Sequence, residues 1–142
     1  MSAYADTSFL VSLYVQDVNS LPAARLMSEA KLPVLMTSLG ELELVNAVQL
    51  RRFRRELELR EARAASTLFR RDLESGIFVV KSLSPAVFEA AKQLTRRRTA
   101  LLGVRTLDIL HVASALVFES DAFYTFDNSQ RMLAKAEGLQ TP

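Results

Sequence analysis

The chain has 142 residues, enough for one domain with a real core, and its 49% hydrophobic and 24% charged residues are the balance of an ordinary globular protein. It contains no cysteine, which excludes disulfides and thiolate metal sites. The formal net charge is only +2, and no apolar run reaches the roughly 20 residues a membrane helix needs.

The first element, Ser-Ala-Tyr-Ala-Asp at 2–6, reads as a short buried strand that ends on a carboxylate. Asp6 interrupts the apolar run, and the N-terminus has neither the basic start nor the small-residue cleavage site of a signal peptide. A soluble, cytoplasmic protein is expected. Thr7 and Ser8 can cap a helix that carries Phe9, Leu10, Leu13 and Tyr14 at helical spacing. A second helix is expected over roughly 21–30, closed by Lys31-Leu32-Pro33. Val34–Thr37 is a continuous apolar run bounded by Pro33 and Ser38, as a parallel-sheet strand should be. Ser38 can cap a long helix running to about Phe53, and the spacing of Ala65, Leu68 and Phe69 predicts another over 61–73. Ile77–Val80 after Gly76 is the third strand, and Ser84-Pro85 opens a helix in the way proline at the first position favours. A further helix starts near Thr106. Ala122–Phe126 is the fourth strand, followed by a helix over 129–136, and the tail beyond Gly138 can add an edge strand.

Strands separated by helices predict a single α/β domain over 1–142: a three-layer α/β/α sandwich around a central, mostly parallel sheet of four to five strands. In such sheets ligands bind beyond the carboxyl ends of the strands. Asp6 and Asp127 each follow a strand, and Glu43 and Asp108 sit in the first turns of helices that can lie beside those ends. Four carboxylates at one edge would suit a hard divalent cation, Mg²⁺ or Mn²⁺, in chemistry on phosphate. Three of them also have a bland explanation, since Asp6 and Asp127 can cap helices and Asp108 suits a helix dipole. Glu41 lies on a different side of its helix from Glu43 and reads as a surface or capping-turn residue. Asn46, three residues after Glu43, shares its face and can orient it or a substrate.

Arginine is clustered at Arg51, Arg52, Arg54, Arg55, Arg60, Arg63, Arg70 and Arg71, and again at Arg96–Arg98. Its planar fork matches phosphate, so an RNA-binding face is one reading. Interleaved Glu56, Glu58 and Glu61 make a solvated helix face the other. His111, one turn after Asp108 on an apolar helix, reads as a half-buried structural histidine. No nucleophile triad or glycine-rich phosphate loop is visible.

Four stretches carry a resemblance: Tyr-Ala-Asp-Thr-Ser-Phe-Leu at 4–10, Glu-Leu-Val-Asn-Ala at 43–47, Arg-Thr-Leu-Asp-Ile-Leu-His-Val-Ala at 105–113 and Phe-Tyr-Thr-Phe-Asp at 123–127. In this order and spacing the chain resembles the PIN-domain ribonucleases, in particular the VapC-type toxins of toxin–antitoxin pairs. The resemblance implies a metal-dependent endoribonuclease with Asp6, Glu43, Asp108 and Asp127 as the acidic Mg²⁺ or Mn²⁺ site. Ser8 and Thr125 would be nearby hydroxyls and Asn46 a supporting group; on the RNA-binding reading of the arginines, Arg51, Arg52, Arg54, Arg55 and Arg105 are the candidate contacts. The resemblance further implies products with a 5′-phosphate and a 3′-hydroxyl, a homodimer, and a small antitoxin whose tail occupies the acidic groove. Similar sequences often carry arginine two residues beyond Asp127, where this chain has Ser129, so no contact is expected from that position. Two other readings are a non-catalytic RNA- or protein-binding module and a Mg²⁺-dependent phosphotransfer domain. Against the second, position 8 is serine where haloacid-dehalogenase-like phosphatases need a second aspartate, and the paired acids and late lysine of receiver domains are not evident.

Overall fold

The computed structural model describes all 142 residues. The sheet is built from β1 (Ala3–Ala5), β2 (Val34–Thr37), β3 (Phe78–Lys81) and β4 (Ala122–Tyr124), all parallel, in the order β3-β2-β1-β4. Between the strands run α1 (Thr7–Tyr14), α2 (Ser20–Glu29), α3 (Ser38–Phe53), α4 (Leu59–Glu74), α5 (Pro85–Leu102) and α6 (Thr106–Val117), with α7 (Asn128–Ala136) closing the chain. Strand alternation sends successive side chains to opposite faces. Ala3, Ala5, Val34, Met36, Phe78, Ala122 and Tyr124 therefore share one core cluster with residues of α1, α2, α3 and α4. Tyr4 and Phe123 point the other way, into the core beneath α5, α6 and α7. The result is a three-layer α/β/α sandwich, as expected, with the sheet at the lower count of four strands. No helix is long and apolar enough to cross a membrane.

Several boundaries differ from expectation. Asp6, rather than Thr7 or Ser8, is the N-cap of α1: its backbone is extended (φ −83°, ψ 176°) and its carboxylate accepts from Phe9 N. Thr37 caps α3 by accepting from Gly40 N, which leaves Ser38 inside the helix. The expected strand 122–126 stops at Tyr124. In place of an edge strand, the tail makes one isolated bridge, Gln140 to Ala122. Gly103 ends α5 in the left-handed region (φ 65°), where a side chain would be strained, and the chain there turns toward α6.

The strand order positions the site. The chain moves outward from β1 through β2 to β3 and then returns to the other side of β1 as β4. The helices after β1 and those leading to β4 lie on opposite faces, so the crevice opens beyond the carboxyl ends of β1 and β4. Asp6 N donates to Tyr124 O at 3.1 Å, which carries the pairing up to that edge.

At the far side, Glu137 after α7 accepts from Arg97 and Arg98 of α5, and Arg98 also donates to Ala136 O. The hydrogen bond from Arg97 is the largest influence on Glu137 and, with the Arg98 contact, holds its carboxyl below the ordinary carboxylate range. A depressed folded-state pKa contributes stability above the unfolded value that is lost as pH falls through the folded one. Glu137→Gln is thus expected to lower the Tm by a few degrees at pH 7, with the gap closing as the solution is acidified below the ordinary range. A thermal-melt series against pH reads this, and a pH-independent gap would rule out the ionic origin.

Candidate active site

A cleft of about 490 Å³ opens at this edge, lined by Thr7, Ser8, Glu43, Arg105, Thr106, Leu107, Asp108, Asp127 and Gln130. A second cavity, about 550 Å³ between α5 and α6, is lined by residues such as Phe88, Ile109 and Leu110 and contains no carboxylate. Three of the four predicted acids line the polar cleft; the fourth, Asp6, does not line it but is fully buried and bonded to the lining residue Ser8.

The carboxylates are held by the elements that deliver them. Asp6 follows β1 and caps α1; its Oδ1 accepts from Phe9 N at 2.9 Å and Ser8 Oγ at 2.7 Å, and Oδ2 accepts from Thr125 Oγ1. Burial is the dominant influence on this carboxyl and raises its pKa, against the opposing hydrogen bonds of Thr125, Phe9 and Ser8. Asp127 follows β4 and caps α7 through Oδ1, which accepts from Gln130 N at 2.9 Å. Asp108, in the first turn of α6, reaches back to the start of the helix and accepts from Arg105 N at 3.1 Å. Glu43, in the second turn of α3, accepts through Oε1 from Thr7 Oγ1 at 2.7 Å and is bonded to His111 Nε2 at 2.6 Å. Burial pushes the Glu43 carboxyl up, but the hydrogen bonds of His111 and Thr7 outweigh it and leave the pKa below the usual range.

The predicted hydroxyls are in place. Ser8 Oγ lies 3.3 Å from Thr125 Oγ1 and accepts from Phe126 N, tying the end of β1 to the end of β4. Asn46 is exposed and makes no hydrogen bond to the acids. Arg105 lines the cleft. Arg51, Arg52, Arg54 and Arg55 do not, because α3 begins at the cleft edge and runs away from it. The rise along the helix from Glu43 to Arg51 and Arg52 is about 12–14 Å, and Arg54 and Arg55 lie beyond its end at Phe53. Arg51 is also engaged, lying 3.9 Å from Asp17 and 3.7 Å from Glu56.

Two residues of the site stand outside the expected set. Gln130 bridges two acids, its backbone N bonded to Asp127 and its side-chain Nε2 donating to Asp108 Oδ1 at 3.1 Å. The signal for it was its place three residues after a capping aspartate, where the backbone N–H faces the cap. His111 is fully buried rather than half-buried and touches Glu43 directly.

The side chains of the cleft that could ligate an ion, the carboxylates and hydroxyls, offer oxygens, the chemistry that suits a hard cation. Glu43 Oε2 and Asp127 Oδ2 have no protein partner, and Asp6 is a desolvated carboxylate with no cationic side chain bonded to it. In this arrangement no three acidic or histidine side chains are grouped closely enough to hold an ion. The donor set fits a divalent cation in kind, and its side chains would have to draw together around one.

No curated protein sequence matches the chain. Solved structures do. VapC20 of Mycobacterium tuberculosis, described as a sarcin-ricin-loop-cleaving toxin, shares 21% identity over 97% of this chain and 96% of its own, with a TM-score of 0.72. FitAcB from Neisseria gonorrhoeae shares 16% over 98% and 95%, with a TM-score of 0.69. A toxin–antitoxin complex from Klebsiella pneumoniae shares 17% over 99% and 98%, with a TM-score of 0.67. At these identities the likeness is one of fold. The family model of the PIN domain matches residues 3–136, a span that holds every strand and helix described above, and the chain therefore belongs to the PIN-domain family.

Proposed function

We propose that this chain is a Mg²⁺- or Mn²⁺-dependent endoribonuclease and the toxin of a toxin–antitoxin pair. The observation that carries the reading is the convergence of Glu43, Asp108 and Asp127, over the buried Asp6, on one cleft that also presents Arg105. Membership of the PIN-domain family supports nuclease chemistry, and the fold shared with VapC20 and with the Klebsiella complex supports the toxin assignment.

Asp6, Glu43, Asp108 and Asp127 would hold the ion, which when bound lowers the pKa of water and offsets charge on the scissile phosphate. Asp6 contributes a fixed, buried carboxyl whose position Ser8, Thr125 and the α1 N-terminus set. Gln130 keeps Asp108 and Asp127 in register with each other. Arg105 offers its guanidinium to the substrate backbone, and Leu107, half exposed at the cleft, offers an apolar surface to a base. Cleavage would leave a 5′-phosphate and a 3′-hydroxyl. The exposed apolar residues Leu42, Val45 and Phe53 on α3 support a face covered by a partner, either a second copy of the chain or the antitoxin.

The test is cleavage of a labelled RNA by the purified protein with Mg²⁺ or Mn²⁺, against the same reaction with chelator. Ion-dependent cutting with 5′-phosphate ends is expected, and intact RNA with both ions and a folded protein would overturn the reading. Arg105→Ala should raise KM for RNA by about 10- to 100-fold, the worth of a charge-assisted contact of roughly 1.5–3 kcal/mol. Arg54→Ala with Arg55→Ala should weaken only RNAs long enough to reach the far end of α3, and should flatten the salt dependence for those alone. Titrations of short and long RNA against salt separate the two sites, and equal loss on both lengths would count against the geometry.

A further inference from the structure

The only histidine of the chain is deep in the structure, yet its ring forms one side of the Glu43 carboxylate environment. Glu43 is a three-torsion side chain on a half-exposed helix face, and held only by its own helix it would sample several rotamers. Instead His111 Nε2, from α6, and Thr7 Oγ1, from α1, converge on its Oε1 at 2.6 and 2.7 Å, while Oε2 has no protein partner. The ring is itself fixed from behind, with Nδ1 2.7 Å from the hydroxyl of Tyr4. Tyr4 is fully buried in the central strand β1 and stacks on Phe123 of β4, with centroids 5.4 Å apart and planes 17° from parallel.

The hydrogens follow from the partners. An ionised carboxylate can only accept, so Nε2 carries the hydrogen toward Glu43, while the Tyr4 hydroxyl, which can donate or accept, holds Nδ1 from behind. A chain of fixed groups thus runs from the middle of the sheet to one carboxylate at the cleft.

We propose that His111 is a positioning residue for the site: with Tyr4 behind it and Thr7 beside it, it dedicates Glu43 Oε1 to the protein and presents Oε2 to the ion. This rests on the reading of Glu43 as an ion ligand. Outer partners that orient a ligand typically matter by 10- to 100-fold in metal affinity.

The experiment measures Mn²⁺ binding by calorimetry, together with kcat and KM for RNA, for the original chain and for His111→Leu, His111→Gln, Thr7→Val and Glu43→Gln, with a thermal melt on each. His111→Leu should weaken Mn²⁺ binding about 10- to 100-fold and lower kcat more than it raises KM. His111→Gln, whose side-chain N–H can occupy the place of the Nε2–H, should recover binding to within a few-fold. Thr7→Val, a near-isosteric change at a partly buried position, should weaken binding in the same direction by less. If Glu43→Gln weakens Mn²⁺ binding while His111→Leu matches the original chain, the positioning role is wrong and the ligand reading stands. Equal impairment of the Leu and Gln variants would assign His111 to packing and also overturn the proposal. If Glu43→Gln binds Mn²⁺ like the original chain, the ligand reading itself fails, and the positioning role with it.

Discussion

Replacing Asp6 with asparagine is expected to lower kcat for RNA at least about 100-fold while the protein stays folded, with a Tm at neutral pH equal to or above that of the original chain. The activity loss follows from removing the most deeply placed charge of the site, since ion-held chemistry is worth several kcal/mol and each 1.36 kcal/mol is tenfold in rate. Retained folding follows from shape. The asparagine oxygen still accepts from Phe9 N and Ser8, and its amide meets the Thr125 hydroxyl, which can rotate to accept. The stability gain follows from the sign of the shift. Burial holds the Asp6 carboxyl above its ordinary value of 3.8. A raised folded-state pKa contributes stability that is fully present below the unfolded value and lost as pH rises through the folded one. The ion-free protein therefore carries at neutral pH a buried carboxyl whose raised pKa costs stability, a cost the variant lacks. The Tm advantage of Asp6→Asn should shrink as the pH is lowered toward 3.8. Mn²⁺ should raise the Tm of the original chain and leave that of the variant nearly unmoved, as binding to the native state alone requires. Melting curves with and without Mn²⁺, beside a cleavage assay, read all three effects. Undiminished cleavage by the variant would remove Asp6 from the site.

The layered fold was legible because its signals are local. Val34–Thr37 is an apolar run bracketed by Pro33 and Ser38, and Ser84-Pro85 marks a helix start by backbone restriction alone; both elements stand where expected. What depends on partners far along the chain was less legible. Thr125 and Phe126 have the composition of strand, yet Thr125 Oγ1 is bonded to Asp6 and to Asp127 N, and the chain turns there instead of continuing the ladder. Asp6, Thr7 and Ser8 are all competent caps. Only the packed site shows why Asp6 takes the role, since Thr7 is bonded to Glu43, 36 residues away. The apolar helix around His111 announced burial, but the contact with Glu43 spans 68 residues and leaves no periodic trace. The separation of Glu43 from the arginines that follow, in contrast, is contained in the sequence once Arg51 and Arg52 are placed on the same helix, because helical rise alone puts them about 12–14 Å along it.

The capping and metal-site explanations of these acids, which look like rivals in the sequence, coexist in the structure, and cap-preserving substitutions can separate them. Asp6, Asp127 and Asp108 all bond backbone N–H groups at helix starts while converging on one cleft. Serine caps a helix about as well as aspartate, and asparagine about as well again. Asp127→Ser and Asp108→Asn are therefore expected to melt within a few degrees of the original chain and yet to lose RNA cleavage by about 100-fold or more. Asp127→Ala removes the cap as well and should cost about a further 1 kcal/mol, near 3 °C in Tm for a chain of this size. The comparison that decides is Asp127→Ser against Asp127→Ala: both inactive with only the alanine variant destabilised means that one carboxylate serves helix and ion at once, through Oδ1 and Oδ2 respectively. A fully active Asp127→Ser would reduce Asp127 to a cap and leave Asp6, Glu43 and Asp108 as the acids of the site.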